Sequence, residues 1–182
     1  VAIAAGSDHT VALRNDGTVW SCGFNAYGQL GDATTLDRAT PVQVTGLTGV
    51  IGVAAGTYYS LALRNDGTAW AWGYNYYGQL GDGTTIPRST PVQIAGMTGV
   101  IALAAGTRNS AAGGSDGSLW AWGWNKEGQL ADGTTIDRPT PIQVNGVSGA
   151  VSAAVGLNYI VIARSDGSVW GWGAGSSRGL LE

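Results

Sequence analysis

The chain repeats itself every 50 residues without an insertion or deletion, and this register constrains its fold more than any other feature. Gly6, Gly56, Gly106 and Gly156 occupy one position of the period. Trp20, Trp70, Trp120 and Trp170 occupy a second, and Gly23, Gly73, Gly123 and Gly173 a third. Residues 1–50, 51–100 and 101–150 are complete units, and 151–182 is a partial fourth, so the 182 residues read as a single repeat domain.

Each unit resolves into four strand candidates. The first is Val1–Ala5, ended by Gly6; the second is His9–Arg14 and the third Thr18–Phe24. Asn15-Asp16-Gly17 between the last two suits a three-residue hairpin loop with glycine at the left-handed position. The fourth candidate, Thr40–Val44, carries Pro41, repeated as Pro91 and Pro141. Proline donates no ladder bond, which predicts an outer edge strand. A polar loop, Asn25 to Ala39, joins the third strand to the fourth around Gly28-Gln29-Leu30. Four short strands per 50 residues predict an all-β chain of four-stranded antiparallel propeller blades rather than a helical solenoid.

Alternation along the third strand suggests how the blades pack. Trp20, Cys22 and Phe24 share one face, while Val19 and Ser21 share the other. The bulky face recurs as Trp70, Trp72 and Tyr74, then as Trp120, Trp122 and Trp124; the opposite face keeps Ser21, Ala71, Ala121 and Gly171 small. Trp20, Trp70, Trp72, Trp120, Trp122, Trp170 and Trp172 are therefore expected to pack between blades, with Cys22 as a buried variant of the same position.

Charge and chemistry narrow the function classes. The net charge is -3 and the nine basic residues are scattered, so no cluster for phosphate neutralisation exists and nucleic acid is not expected as a partner. No apolar run of about 18 residues occurs, so the chain reads as soluble rather than membrane-bound, with its compartment open. One cysteine excludes an intrachain disulfide, and one histidine, His9, excludes a multi-histidine metal site. Asp16, Asp66, Asp116 and Asp166 fall in hairpin turns, where aspartate bonds its own backbone. Asp32, Asp82 and Asp132 share their loops with Arg38, Arg88 and Arg138 and read as loop ties. Gly171, Gly173 and Gly175 lack the strand–helix context of a phosphate loop. Neither a catalytic residue nor a metal nor a cofactor is expected, and the chain reads as a non-enzyme.

The segment from His9 to Gly31 resembles the signature of the regulator of chromosome condensation repeat family, approximately H-[ST]-x-A-L-x-x-D-G-x-[VL]-[YW]-x-W-G-x-N-x-x-G-Q-L-G. Tyr59 to Gly81 and Asn109 to Ala131 follow the same pattern, with Gly113 and Gly114 replacing a leucine and a polar residue. The fourth copy follows it through Trp172-Gly173 and departs from Ala174 onward. The resemblance implies a β-propeller, usually of seven blades, acting through protein–protein contact. The founding member's exchange activity on the GTPase Ran relies on an inserted hairpin wedge, for which the 50-residue spacing leaves no room.

Differences between the units suggest where recognition lies. One variable window contains Asp8 and His9, Tyr58 and Tyr59, Arg108 and Asn109, and Tyr159. The other contains Tyr27, Tyr76, Tyr77 and Lys126, and all seven tyrosines fall in these windows or at the adjoining Tyr74. Tyrosine and arginine are enriched at binding hot spots, so these eleven residues are the candidate surface for a protein partner of unknown identity. A seven-bladed ring at this period needs roughly 350 residues. Open terminal blades would leave apolar faces bare, which predicts that two or more copies associate to close the ring. Two other readings stand beside the scaffold: a structural or engineered propeller fragment that self-assembles without a ligand, and a carbohydrate-binding module that stacks sugars on tyrosine.

Overall fold

The structure, a computed structural model, describes residues 1–174; the departure from the repeat pattern after Ala174, Gly175 and the terminal Leu181-Glu182 lie outside the described residues. The first sheet contains β1 (Ala2–Ala5), β2 (His9–Leu13), β3 (Val19–Gly23) and β4 (Arg38–Gln43). The second contains β5 (Val50–Ala55), β6 (Tyr59–Arg64), β7 (Ala69–Gly73) and β8 (Arg88–Gln93). The third contains β9 (Val100–Ala105), β10 (Asn109–Gly114), β11 (Leu119–Gly123) and β12 (Arg138–Gln143). The fourth contains β13 (Ala150–Val155), β14 (Tyr159–Arg164) and β15 (Val169–Gly173). Neighbours in the chain are neighbours in each sheet, and every pairing is antiparallel. These are propeller blades, with the proline-bearing strand outermost as its missing donors require.

The outer strand starts two residues earlier than the sequence reading, because a bulge between Ser21 and Gly23 lets Arg38 pair with Gly23. In the hairpins, the Asp16 carboxylate accepts bonds from the main-chain N–H and hydroxyl of Thr18 at 3.0 and 2.6 Å. These two bonds, with a smaller effect from nearby Arg14, hold the Asp16 carboxyl below its usual range.

The innermost strands β1, β5, β9 and β13 gather around one axis, where their ends and the following residues, among them Gly6, Gly56, Gly106 and Gly156, line a common opening. Close approach explains these glycines. A methyl group at Gly6 would meet the Gly56 carbonyl oxygen at 2.5 Å, and one at Gly56 or Gly106 would meet the carbonyl oxygen of Gly106 or Gly156 equally closely.

Each seam is filled by the indoles of one blade and the aliphatic side chains of the blade before it. Trp70 and Trp72 pack with Val11, Leu13, Val19 and Val44 of the blade before them. Trp120 and Trp122 do the same against Leu61, Leu63 and Ile94, and Trp170 and Trp172 against Ala111, Leu119 and Val144. The inner indoles carry a second interaction: Trp72 and Trp122 Nε1 donate to the main-chain carbonyls of Gln29 and Gln79 at 2.9 Å. Trp20 is the correction to the packing expectation, since no blade precedes it among the described residues. Its indole donates to Thr18 Oγ1 at 3.2 Å beneath the Arg14 guanidinium, as Trp70 does to Thr68 beneath Arg64, but it joins no seam cluster. Cys22 is likewise half-buried rather than buried, for the same reason.

Candidate functional site

Beyond the third strand of each blade the chain turns sharply. Gly23, Gly73 and Gly123 have φ of 113°, 106° and 101°, a region closed to most side chains. The turn ends the strand and its alternation, so Phe24, Tyr74 and Trp124 leave the packing face to which a continuous strand would assign them. They emerge on a rim, and a main-chain bond fixes each there. Phe24 N–H donates to Asp8 O at 2.8 Å, Tyr74 to Tyr58 O at 2.9 Å and Trp124 to Arg108 O at 3.0 Å. These bonds join the two variable windows of each blade side by side.

The result is a continuous aromatic row across three blades. Phe24 contacts Tyr58 at 5.8 Å between ring centroids, Tyr58 contacts Tyr27 at 5.5 Å, and Tyr27 contacts Tyr74 at 4.8 Å. Tyr74 meets Tyr76 at 4.9 Å and Tyr77 at 6.1 Å, and Tyr77 meets Trp124 at 6.5 Å. Edge-on and tilted geometries dominate, as ring quadrupoles favour. The Arg108 guanidinium lies over Tyr77 at 5.1 Å and over Trp124 at 5.5 Å, ending the row on a cation. Partial burial, with Tyr77 and Tyr27 adjacent, raises the Tyr74 hydroxyl above the ordinary phenol range. Tyr76 is 59% exposed and presents its ring outward.

The loop behind the row is clasped by one buried amide. Asn25 Nδ2 donates to Asp32 Oδ1 and to the carbonyls of Thr34 and Leu36, while Asn25 Oδ1 accepts from Leu30 N–H at 2.9 Å. Arg38 Nε closes the clasp on Asp32 Oδ2 at 2.8 Å. Asn75, Asp82 and Arg88 repeat it, as do Asn125, Asp132 and Arg138. The aspartate–arginine tie read from the sequence is thus present in all three loops. Burial works against ionisation of Asp132, but bonds from Thr134, Arg138 and Asn125 outweigh it and bring the carboxyl down to about 2. Among the described residues no group of three or more His, Cys, Asp or Glu side chains is placed to hold a metal ion.

One pair of residues has the composition of a nucleophile and base: His9 Nε2 lies 3.0 Å from Ser60 Oγ. Its polarity is the reverse of that role. The Ser60 hydroxyl donates to the Gln29 carbonyl at 2.9 Å, so His9 Nε2 carries the hydrogen and donates to Ser60. Both side chains are sealed inside the first seam.

The regulator of chromosome condensation (RCC1) repeat model matches residues 16–63, 66–112 and 116–163, most of the chain. The chain belongs to the RCC1 repeat family. A second RCC1 repeat model matches residues 1–29 and 50–79. Among curated proteins, the ultraviolet-B receptor UVR8 of Arabidopsis thaliana is 45% identical over 42 residues, covering 23% of this chain and 10% of the receptor. Among solved structures, human WBSCR16 aligns with a TM-score of 0.85 at 28% identity, over 95% of this chain and 46% of that one. Prp20p of Saccharomyces cerevisiae, described with its binding to Gsp1p and histones, aligns at 0.79 with 26% identity, over 94% and 44%. The chain therefore spans less than half the length of the RCC1-type propellers it matches. Propellers of this family serve in general as protein-interaction scaffolds.

Within this RCC1-type frame the eleven candidate residues divide. Tyr27, Tyr58, Tyr76, Tyr77 and Arg108 come together in the aromatic row. Asp8 and Lys126 are exposed nearby on the same windows, with Lys126 Nζ 3.9 Å from Asp137. His9, Tyr59 and Asn109 are corrected: all three are buried in seams, on the β2-type face that meets the next blade, and none is available to a partner. Tyr159 is the equivalent residue of the fourth blade and is 49% exposed on that blade's uncovered face. Phe24 and Trp124 are members of the row that strand alternation assigned to packing; the recurring glycine just before them is the signal that marks the break.

Proposed function

We propose that the aromatic row is the contact surface of a non-catalytic protein-interaction scaffold. The observation that carries this reading is the continuity of Phe24, Tyr58, Tyr27, Tyr74, Tyr76 and Tyr77 into Arg108 across three blades on one rim. Rigid aromatic rings beside an arginine supply large contact area with few torsions to freeze, the composition of interface hot spots. The binding of Gsp1p and histones by Prp20p supports a protein as the partner class. The test is affinity capture from the host lysate by the parent chain and by the Tyr58→Ser/Tyr76→Ser/Tyr77→Ser variant, with folding followed by circular dichroism. The reading requires a specific protein that the parent retains and the folded triple variant loses. Equal capture by both overturns it, and binding on a glycan array by the parent alone would move the row to sugar recognition.

A second reading, self-association of the isolated chain, is favoured by Tyr159. In the second seam the equivalent Tyr59 hydroxyl donates to Asn109 O and accepts from Gly106 N–H and Ser110 Oγ. The first blade carries the equivalent residues Gly6, His9 and Thr10, with Gly6 N–H bonded to His9 O as Gly106 N–H is to Asn109 O. A second copy whose first blade covered the fourth would repeat the internal seam. Light scattering after size exclusion should give at least twice the chain mass, falling to the chain mass in Tyr159→Ala. A monomeric parent at micromolar concentration removes this reading and leaves the rim untouched.

A further inference from the structure

The third seam, between β10 and the fourth blade, holds an apolar cavity of about 120 Å³ whose walls include Leu103, Ala111, Gly113, Leu119 and Ala153. The repeat explains its origin. In the second blade the matching face is filled by Leu61 and Leu63, both buried, and in the first by Val11 and Leu13. One period later these become Ala111 and Gly113, paired across β9 with Ala104 and Ala102. From the far side, Leu103 packs into the second seam, whereas its counterpart in the third seam is Ala153. Leu119, in place of Ala69, restores only part of the lost volume. Three trimmed side chains thus face one space.

Such a space has few polar groups to hold water. Its lining side chains are aliphatic apart from that of Ser152, an exposed residue. A dry void deprives its lining of dispersion contacts, and cavities of about 150 Å³ with aliphatic and aromatic walls take up benzene or xenon. We propose that this cavity is a binding site for a small, uncharged, apolar molecule of about benzene size. The largely exposed Ile101 and Val151, on the innermost strands β9 and β13, also line it.

The cavity can be closed without straining the backbone. Gly113 lies outside the left-handed region, and a Cβ there would meet only Ala102 Cβ at 3.7 Å. The experiment is thermal unfolding of the parent chain and of Gly113→Leu over a benzene titration. The parent should show a saturable rise in Tm of about 2–4 °C when benzene is at about five times its Kd. Gly113→Leu should start from a higher Tm and lose the benzene-dependent rise. Should Gly113→Leu not fold, Ala153→Leu serves as the filled form, and the NMR shift of dissolved xenon reads occupancy of the parent directly. A parent Tm indifferent to benzene, an equal rise in the filled variant, or a xenon resonance unmoved by the parent overturns the proposal.

Discussion

The Tyr59 hydroxyl donates to the main-chain carbonyl of Asn109, 2.7 Å away across the seam between the second and third blades. The same oxygen accepts from Gly106 N–H at 3.1 Å and lies 2.9 Å from Ser110 Oγ, adding to the bonds that Gly106 N–H makes to Asn109 O and the Ser110 hydroxyl makes to Gln79 O. Burial raises its pKa well above the ordinary phenol value, and it stays neutral throughout the physiological range. Tyr59→Phe keeps the ring and removes one buried cross-seam bond, leaving Gly106 N–H on Asn109 O and the Ser110 hydroxyl on Gln79 O. A loss of about 1 kcal/mol in urea unfolding is expected. An unchanged midpoint would show that the phenol contributes packing alone.

His9 is the first-seam counterpart of Tyr59, and burial lowers its pKa to about 4 against the opposing field of Asp8. With the folded value below the unfolded value of about 6.5, the unfolded chain binds the proton first. Stability is therefore full above about pH 6.5 and declines as pH falls toward 4, by up to about 3 kcal/mol. His9→Tyr places a hydroxyl where Gly56, Tyr59 O and Ser60 offer the partners that Tyr59 finds in the next seam. It should flatten the urea midpoint between pH 4 and 6.5, a window above that in which the loop aspartates are lost.

Trp72 and Trp20 hold nearby positions on neighbouring blades yet differ in cover. Trp72 is fully buried and bonded to Gln29 O, whereas Trp20 is part-exposed beneath Arg14. Trp72→Ala should cost about 3–5 kcal/mol, as large buried aromatics do. Trp20→Ala should cost much less in a monomer. Comparable losses for the two in dilute solution would mean that the first blade's outer face is covered.

The Asn75 clasp tests how far one amide organises a loop. Its side chain is fully buried, donates to Asp82, Thr84 and Ile86, and accepts from Leu80. Asn75→Ala removes all of these and leaves the Asp82 and Leu80 groups without them. A loss of about 3 kcal/mol is expected, together with faster amide exchange through residues 75–88. A stable variant with protected amides would shift the loop's support to the Asp82–Arg88 pair.

Local chemistry makes much of this protein readable from its sequence. The 50-residue period, the Asp-Gly hairpins and the recurring proline specify four-stranded blades and their outer edges, because each acts over a few residues through side-chain alternation, turn geometry or a missing N–H. The aspartate–arginine ties were legible for the same reason. Only the tertiary structure decided which variable positions face outward. His9, Tyr59 and Asn109 differ between copies as Tyr27 and Tyr77 do, but each of the three seals a seam whose partner residues lie about 50 positions along the chain. Variation between repeats records any change in a neighbour, buried or exposed, so it could not separate seam from rim. The left-handed turns at Gly23, Gly73 and Gly123 made that separation, carrying Phe24, Tyr74 and Trp124 out of the sheet to build the aromatic row.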